Sequence, residues 1–186
     1  MNLNTITGSA SLWQYYKRVP EWVLPYSKRR WVLDKGSLTK RLQDASKGDF
    51  TVRVTHQGWA YPHLDEIRHL GMPYRQKALI REVELICQGE VWVRARSIIP
   101  VNTLSGKERE LTVLGSRPLG SYLFKSKSMQ RKNLELAAFD MKHEGKVYGR
   151  RSIFCLSGKP ILVSELFMPA LFEKTNQKHP AINNKV

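Results

Sequence analysis

Ile80-Arg81-Glu82-Val83-Glu84-Leu85-Ile86-Cys87, then Gln88-Gly89-Glu90, then Val91-Trp92-Val93-Arg94-Ala95-Arg96-Ser97-Ile98 is the stretch whose reading decides the fold. Two runs rich in aliphatic residues around a short glycine-containing connection predict an antiparallel hairpin, which Pro100 closes. Side chains alternate faces along a strand, so Arg81 shares a face with Val83, Leu85 and Cys87. That face reads as buried. A buried guanidinium is costly unless an opposite charge or a bound ligand meets it, so Arg81 needs a reason to stand there.

The same pattern recurs towards the other end. Ser152 to Leu156 and Ile161 to Met168 flank Ser157-Gly158-Lys159-Pro160, a second hairpin by its turn residues. Within Ile161-Leu162-Val163-Ser164-Glu165-Leu166-Phe167, Glu165 shares a face with Ile161, Val163 and Phe167. Pattern alone leaves two readings open. Arg81 and Glu165 pair with each other or with neighbours as a structural salt bridge, or one cation and one acid in a small cavity hold and transform a carboxylate-bearing substrate.

Working outward, Ser9 caps a predicted helix through about Arg18, and Pro20 and Pro25 interrupt the stretch beyond it. Ser37 caps a helix from Leu38 to about Ala45, with Leu38 and Leu42 on one face, and Gly48 ends it. Thr51 to Thr55 alternates as a strand. Ala60 to Gln76, holding Pro62, Pro73, His63 and His69, reads as a long connection of the kind that often forms a lid. Pro118 opens a short helix carrying Leu119, Tyr122, Leu123 and Phe124, and Met129 to Phe139 is read as a strand. The expectation is an α+β domain over residues 1–172, built on a mostly antiparallel sheet with helices packed on one face. From about Glu173 the chain turns polar, and residues 173–186 are expected to form a disordered tail.

Composition narrows the function classes. A chain of 186 residues with 41% hydrophobic content has room for one real core. Met1 to Ala10 is polar, and the apolar runs fall short of the roughly 20 residues a membrane helix needs, so a soluble, cytoplasmic protein with no membrane insertion is expected. Cys87 and Cys155 sit in apolar runs as small hydrophobes, without a disulfide framework or metal-ligand spacing. The net charge of +15 is scattered, with clusters at Lys28-Arg29-Arg30, at Lys125 to Lys132 and at Arg150-Arg151, and no reader helix or zinc-finger spacing. It reads as a solvated basic surface that attracts small anions rather than as a nucleic-acid interface. No glycine-rich nucleotide fingerprint, P-loop, zinc-protease motif or Gly-x-Ser-x-Gly occurs, and His56, His63 and His69 read as ordinary loop histidines. Chemistry would have to run on a carboxylate, an arginine and backbone groups.

Several spaced motifs carry a resemblance. Ser37-Leu38-Thr39-Lys40-Arg41, Ile99-Pro100-Val101-Asn102-Thr103-Leu104-Ser105-Gly106, Arg117-Pro118-Leu119-Gly120-Ser121-Tyr122-Leu123-Phe124, Gly149-Arg150-Arg151-Ser152, Leu156-Ser157-Gly158-Lys159-Pro160 and Glu165-Leu166-Phe167-Met168-Pro169 are, in that order, similar to the chorismate pyruvate-lyases. The resemblance implies a six-stranded antiparallel sheet around an enclosed ligand cavity, a monomer without cofactor, and conversion of chorismate to 4-hydroxybenzoate and pyruvate, the first committed step towards ubiquinone. It assigns substrate binding to Arg81 and an active-site role to Glu165, the two misfits found by alternation, and backbone contacts to Leu119 and Leu38. Leu38 departs from a methionine familiar at that position, a swap of nearly equal volume. Desolvation would raise the pKa of Glu165 in an apolar setting, opposed by any nearby arginine.

Two competing readings remain at this point. The fold also resembles the effector-binding domain of helix-turn-helix regulators, which would bind a small acid without transforming it, although the residues before Ser37 are too few and too proline-broken for a winged helix-turn-helix domain. A nucleic-acid-binding protein driven by the +15 charge would instead bind DNA or RNA tightly and in a salt-dependent way.

Overall fold

Two-residue turns set the register of the sheet. In the computed structural model, which describes residues 13–176, Gln88 and Gly89 take φ of 52° and 75° between strands Ala78–Cys87 and Glu90–Pro100. Successive positive φ values give the turn whose twist matches paired strands. Ser157 and Gly158, at 50° and 81°, do the same between Gly145–Leu156 and Lys159–Phe167. Both expected hairpins are present.

In chain order the strands are β1 (Gln14–Tyr15), β2 (Phe50–Ala60), β3 (Ala78–Cys87), β4 (Glu90–Pro100), β5 (Gln130–Met141), β6 (Gly145–Leu156) and β7 (Lys159–Phe167). The helices are α1 (Tyr26–Val32), α2 (Leu38–Ala45), α3 (Leu64–Leu70), α4 (Leu119–Lys125) and α5 (Pro169–Asn176). Every strand pair is antiparallel, in the order β1-β5-β6-β7-β4-β3-β2. Among the described residues the sheet has seven strands rather than the expected six, because Gln14 and Tyr15 add a short edge against Leu136 and Glu135. The helix expected from Ser9 to Arg18 is not continuous: residues 9–12 lie outside the described residues, and Tyr16–Arg18 is a single tight turn. Helix α1, between the two prolines and the Ser37 cap, went unread. Its start at Tyr26 comes directly after Pro25, whose fixed φ suits a helix entrance.

Local chemistry explains the other helices. Ser37 caps α2 with its hydroxyl accepting from the Lys40 N–H at 3.4 Å. At α3 the Glu66 carboxylate accepts from the His63 N–H at 2.9 Å, and Gly71 closes the helix at φ 64°. Pro118 precedes α4 as expected. Helix α5 continues to Asn176, past Glu173 where the sequence reading begins the tail; residues 177–186 lie outside the described residues.

Burial divides the sheet into two faces. On the front, Leu38 and Leu42 of α2, Trp31 and Val32 of α1, and Leu171 and Phe172 of α5 pack with Val83, Leu85, Val93 and Phe167, while Leu119 and Leu123 of α4 pack with Leu79, Ile99, Phe154 and Val163. The back is covered too, which corrects the expectation that all helices lie on one face. Ile67 of α3 and the nearby Met72 seal against Ile80, Ile98, Ile153 and Leu162. Helix α3 lies inside the segment read as a long loop. Its sequence is too short and too broken by Pro62 and Pro73 to show a helical period.

A ladder of ions lines that back face. Arg96 binds Glu66 at 2.9 Å and Glu82 at 2.6 Å, and Arg151 binds Asp65 and Glu135, each at 2.6 Å. Arg96, Glu66 and Glu82 are all at most 7% exposed in their side chains. Helix α3 is therefore clamped to the sheet by charge as well as by apolar packing. Cys87 and Cys155 are both free, and burial pushes the Cys87 thiol up to about 11, so it stays a protonated, inert core group.

Candidate active site

Register places the two misfits on one face without letting them touch. Arg81 pairs across to Ser97, which pairs with Val163, whereas Glu165 pairs with Ala95, which pairs with Val83. Arg81 and Glu165 thus stand two strands and two residues apart, about 12 Å between backbones at ordinary sheet spacing. The reading in which they pair with each other is excluded by their actual partners. Glu165 accepts from Arg150 Nε at 2.5 Å. Arg81, 2% exposed, donates to Gln57 Oε1 at 2.6 Å, to the Gly115 carbonyl at 2.8 Å and to the Arg117 carbonyl at 3.2 Å.

All three acceptors of Arg81 are neutral. Burial lowers its pKa, and no carboxylate is among the causes acting on it. The contrast with the back face is chemical: Arg96 and Arg151 each meet two carboxylates, while Arg81 keeps two of its five N–H donors available and an uncompensated charge.

Arg81 and Glu165 line one recess together with Leu38, Leu119, Arg131 and Arg150. All four residues singled out in the sequence therefore come together. Its floor is the sheet, with Val52, Val83, Leu85, Ala95, Phe154 and Val163 supplying apolar surface. Its roof is the start of α2 and of α4: Leu38 and Leu119 are the first residues of those helices, where N–H groups lack intrahelical partners. No residue of 60–76 lines it, so the segment read as a lid does not roof this recess.

The two roof helices touch at Gly120. A Cβ built there would lie 2.7 Å from Thr39 Oγ1, so any larger residue forces the Thr39 side chain to shift. Gly120→Ala is expected to lose about 1–3 kcal/mol of stability through overpacking, and to lower kcat/KM as the roof lifts. Thr39→Ala in the same chain should restore both, because it removes the atom that clashes; thermal melts and steady-state rates on the single and double variants check this.

Sequence reasoning missed Arg150 and Arg131 as site residues. Arg150 shares its strand face with Tyr148, Ser152 and Phe154, so the alternation that exposed Glu165 could have found it. Its NH1 also donates to the Asp34 carbonyl at 2.6 Å, tying the loop before α2 to the sheet. The Asp34 carboxyl is held below its ordinary pKa: burial works the other way, but the Gly36 N–H and the Arg41 guanidinium, 2.9 Å away, prevail with help from Arg150. The arginine that the sequence reading allowed for beside Glu165 is Arg150, which stands at its carboxylate. With Arg150 matched to Glu165, Arg81 and Arg131 leave the recess two positive charges in excess.

The family model for chorismate lyase matches residues 9–177. The chain is 43% identical over 152 residues to a probable chorismate pyruvate-lyase of Methylococcus capsulatus, covering 76% of this chain and 94% of that one. It is 38% identical over 159 residues to the chorismate pyruvate-lyase of Escherichia coli O7:K1, covering 84% and 90%. Among solved structures, PhnF from Mycobacterium smegmatis shares the fold at 10% identity and a TM-score of 0.55, over 74% of this chain and 66% of that chain. By the extent of the family match and the identity to these relatives, the chain belongs to the chorismate lyase family.

Proposed function

We propose that the recess is the active site in which this chain, as a carbon–oxygen lyase of its family, converts chorismate to 4-hydroxybenzoate and pyruvate on the way to ubiquinone. The observation that carries the reading is Arg81, a buried cation with only neutral partners, facing a recess that also holds Glu165. Such a group is stabilised by an anion that arrives and leaves. No helix among the described residues is long and apolar enough to cross a membrane.

The chemistry asks little of the protein beyond placement. Loss of the C4 hydrogen and departure of enolpyruvate from C3 leave an aromatic ring, and the enol takes up a proton to become pyruvate. Aromatisation drives the step, so orientation and proton handling are the protein's share. Arg81 grips the ring carboxylate with two parallel N–H···O bonds, joined by the backbone N–H groups at Leu38 and Leu119. Glu165 meets the C4 oxygen at the opposite end of the ring and assists proton transfer. The roof of α2 and α4 encloses the substrate and keeps water from competing for these contacts.

Incubation of the purified protein with chorismate, without added metal or cofactor, is expected to give equimolar 4-hydroxybenzoate and pyruvate. Saturable binding without product would make the chain a sensor on the same fold. Glu165→Gln keeps the shape beside Arg150 and removes the exchangeable proton. Turnover is expected to fall by about 100-fold, the usual scale of general acid–base assistance. Near-normal turnover would leave Glu165 an orienting role only.

A further inference from the structure

Resting on that lyase reading, we propose that Arg131 binds the second carboxylate of the substrate, the one carried by the enolpyruvyl group. Three features place it there. First, Arg131 lines the same recess from β5, at the far side of the sheet from Arg81 on β3, with Glu165 and Arg150 on the strands between. Four strand spacings separate the two backbones, about 19 Å laterally, and the Arg131 side chain leans inward, its Nε on Ser152 of the neighbouring β6.

Second, Arg131 has the same kind of partners as Arg81. Its Nε donates to Ser152 Oγ at 2.9 Å and its NH1 to the Asp34 carbonyl at 3.0 Å, and its guanidinium lies 5.2 Å from the centre of the Phe154 ring. These contacts fix the direction of the fork without neutralising it, and three of five N–H groups remain for a ligand. Burial, joined by the charge of Arg150 and opposed by the more distant charges of Glu165 and Asp34, pushes the group down to about 10, so it is still cationic at neutral pH but held at a cost.

Third, Arg150 is already committed. It donates to Glu165 and to the Trp31, Val32 and Asp34 carbonyls, so the second anion of a dianionic ligand has Arg131 as its partner. The consequence is functional. The ring carboxylate stays on 4-hydroxybenzoate, whereas the second carboxylate departs with pyruvate, so the Arg131 contact exists with the substrate and is lost with the aromatic product. Arg131 thereby favours dianionic substrate over monoanionic product in a site whose other contacts both share.

The test compares two ligands on two variants. Arg131→Gln is expected to lower kcat/KM for chorismate by about 10- to 100-fold, the range of a hydrogen bond to a charged group, while its Kd for 4-hydroxybenzoate, from calorimetry, stays within about threefold of wild type. Arg81→Ala should weaken both ligands. Equal losses of chorismate turnover and 4-hydroxybenzoate affinity in Arg131→Gln would make the residue a structural support and overturn the proposal, as would unchanged kcat/KM. Should the glutamine variant fail to fold, Arg131→Lys decides by the same comparison, since it keeps the cation but not the fork. Wild-type protein that makes no product from chorismate would instead defeat the lyase reading itself, a result read before any variant is made.

Discussion

Arg81→Ala is expected to abolish nearly all lyase activity while leaving the fold in place. Truncating one partner of a buried charge pair costs about 2–5 kcal/mol, so kcat/KM for chorismate should fall by about a thousandfold. Arg81→Lys should recover little, because a point charge cannot reproduce two parallel bonds to a carboxylate. Stability should behave differently. The cation has no carboxylate to orphan, and its loss leaves Gln57 Oε1 and the Gly115 and Arg117 carbonyls beside a recess that water can fill. The melting temperature is therefore expected to stay within a few degrees of wild type. A collapse of stability equal to the collapse of activity would make Arg81 a structural residue and remove the main support for the active-site reading.

Arg96→Leu should show the opposite profile. Arg96 is as buried as Arg81, 2% exposed each, but it lies on the back face between Glu66 and Glu82. Removing it strands two carboxylates against apolar surface, and breaking a buried pair costs about 3–5 kcal/mol. At about 2–4 °C per kcal/mol for a chain of this size, the melting temperature should drop by about 10–15 °C. Helix α3 should loosen first, because Glu66 is its anchor. Replacing Glu66 and Glu82 with Leu in the same chain should recover much of the loss, since an apolar cluster of similar volume substitutes well for a buried ionic one. Circular-dichroism melts of the single and triple variants settle the matter, and an unchanged single variant would mean that the ladder contributes nothing to stability.

Set side by side, the two arginines show why alternation alone could not name the site. A charge among apolar neighbours on a strand marks burial, and burial is common to Arg81, Arg96, Arg150 and Arg151. What separates them is the partner, and partners come from strands and helices remote in sequence: Glu66 from 30 residues away for Arg96, the Gly115 carbonyl from 34 for Arg81. Alternation marked Arg81 and Glu165 as misfits, and the motif resemblance assigned them their roles.

The hairpins of β3 with β4 and β6 with β7, the caps at Ser37 and Pro118 and the faces of Arg81 and Glu165 were legible in the chain, because each depends on backbone preferences and side-chain direction within a few residues. Tertiary structure alone decided the rest. It added β1 to the sheet's edge and sent α3 to the back face, through pairings that a broken local sequence does not encode. It gave Glu165 to Arg150 and left Arg81 with only neutral hydrogen-bond partners. Local sequence fixes where a side chain points, whereas its charge is answered or left waiting by groups that only folding brings within hydrogen-bond distance.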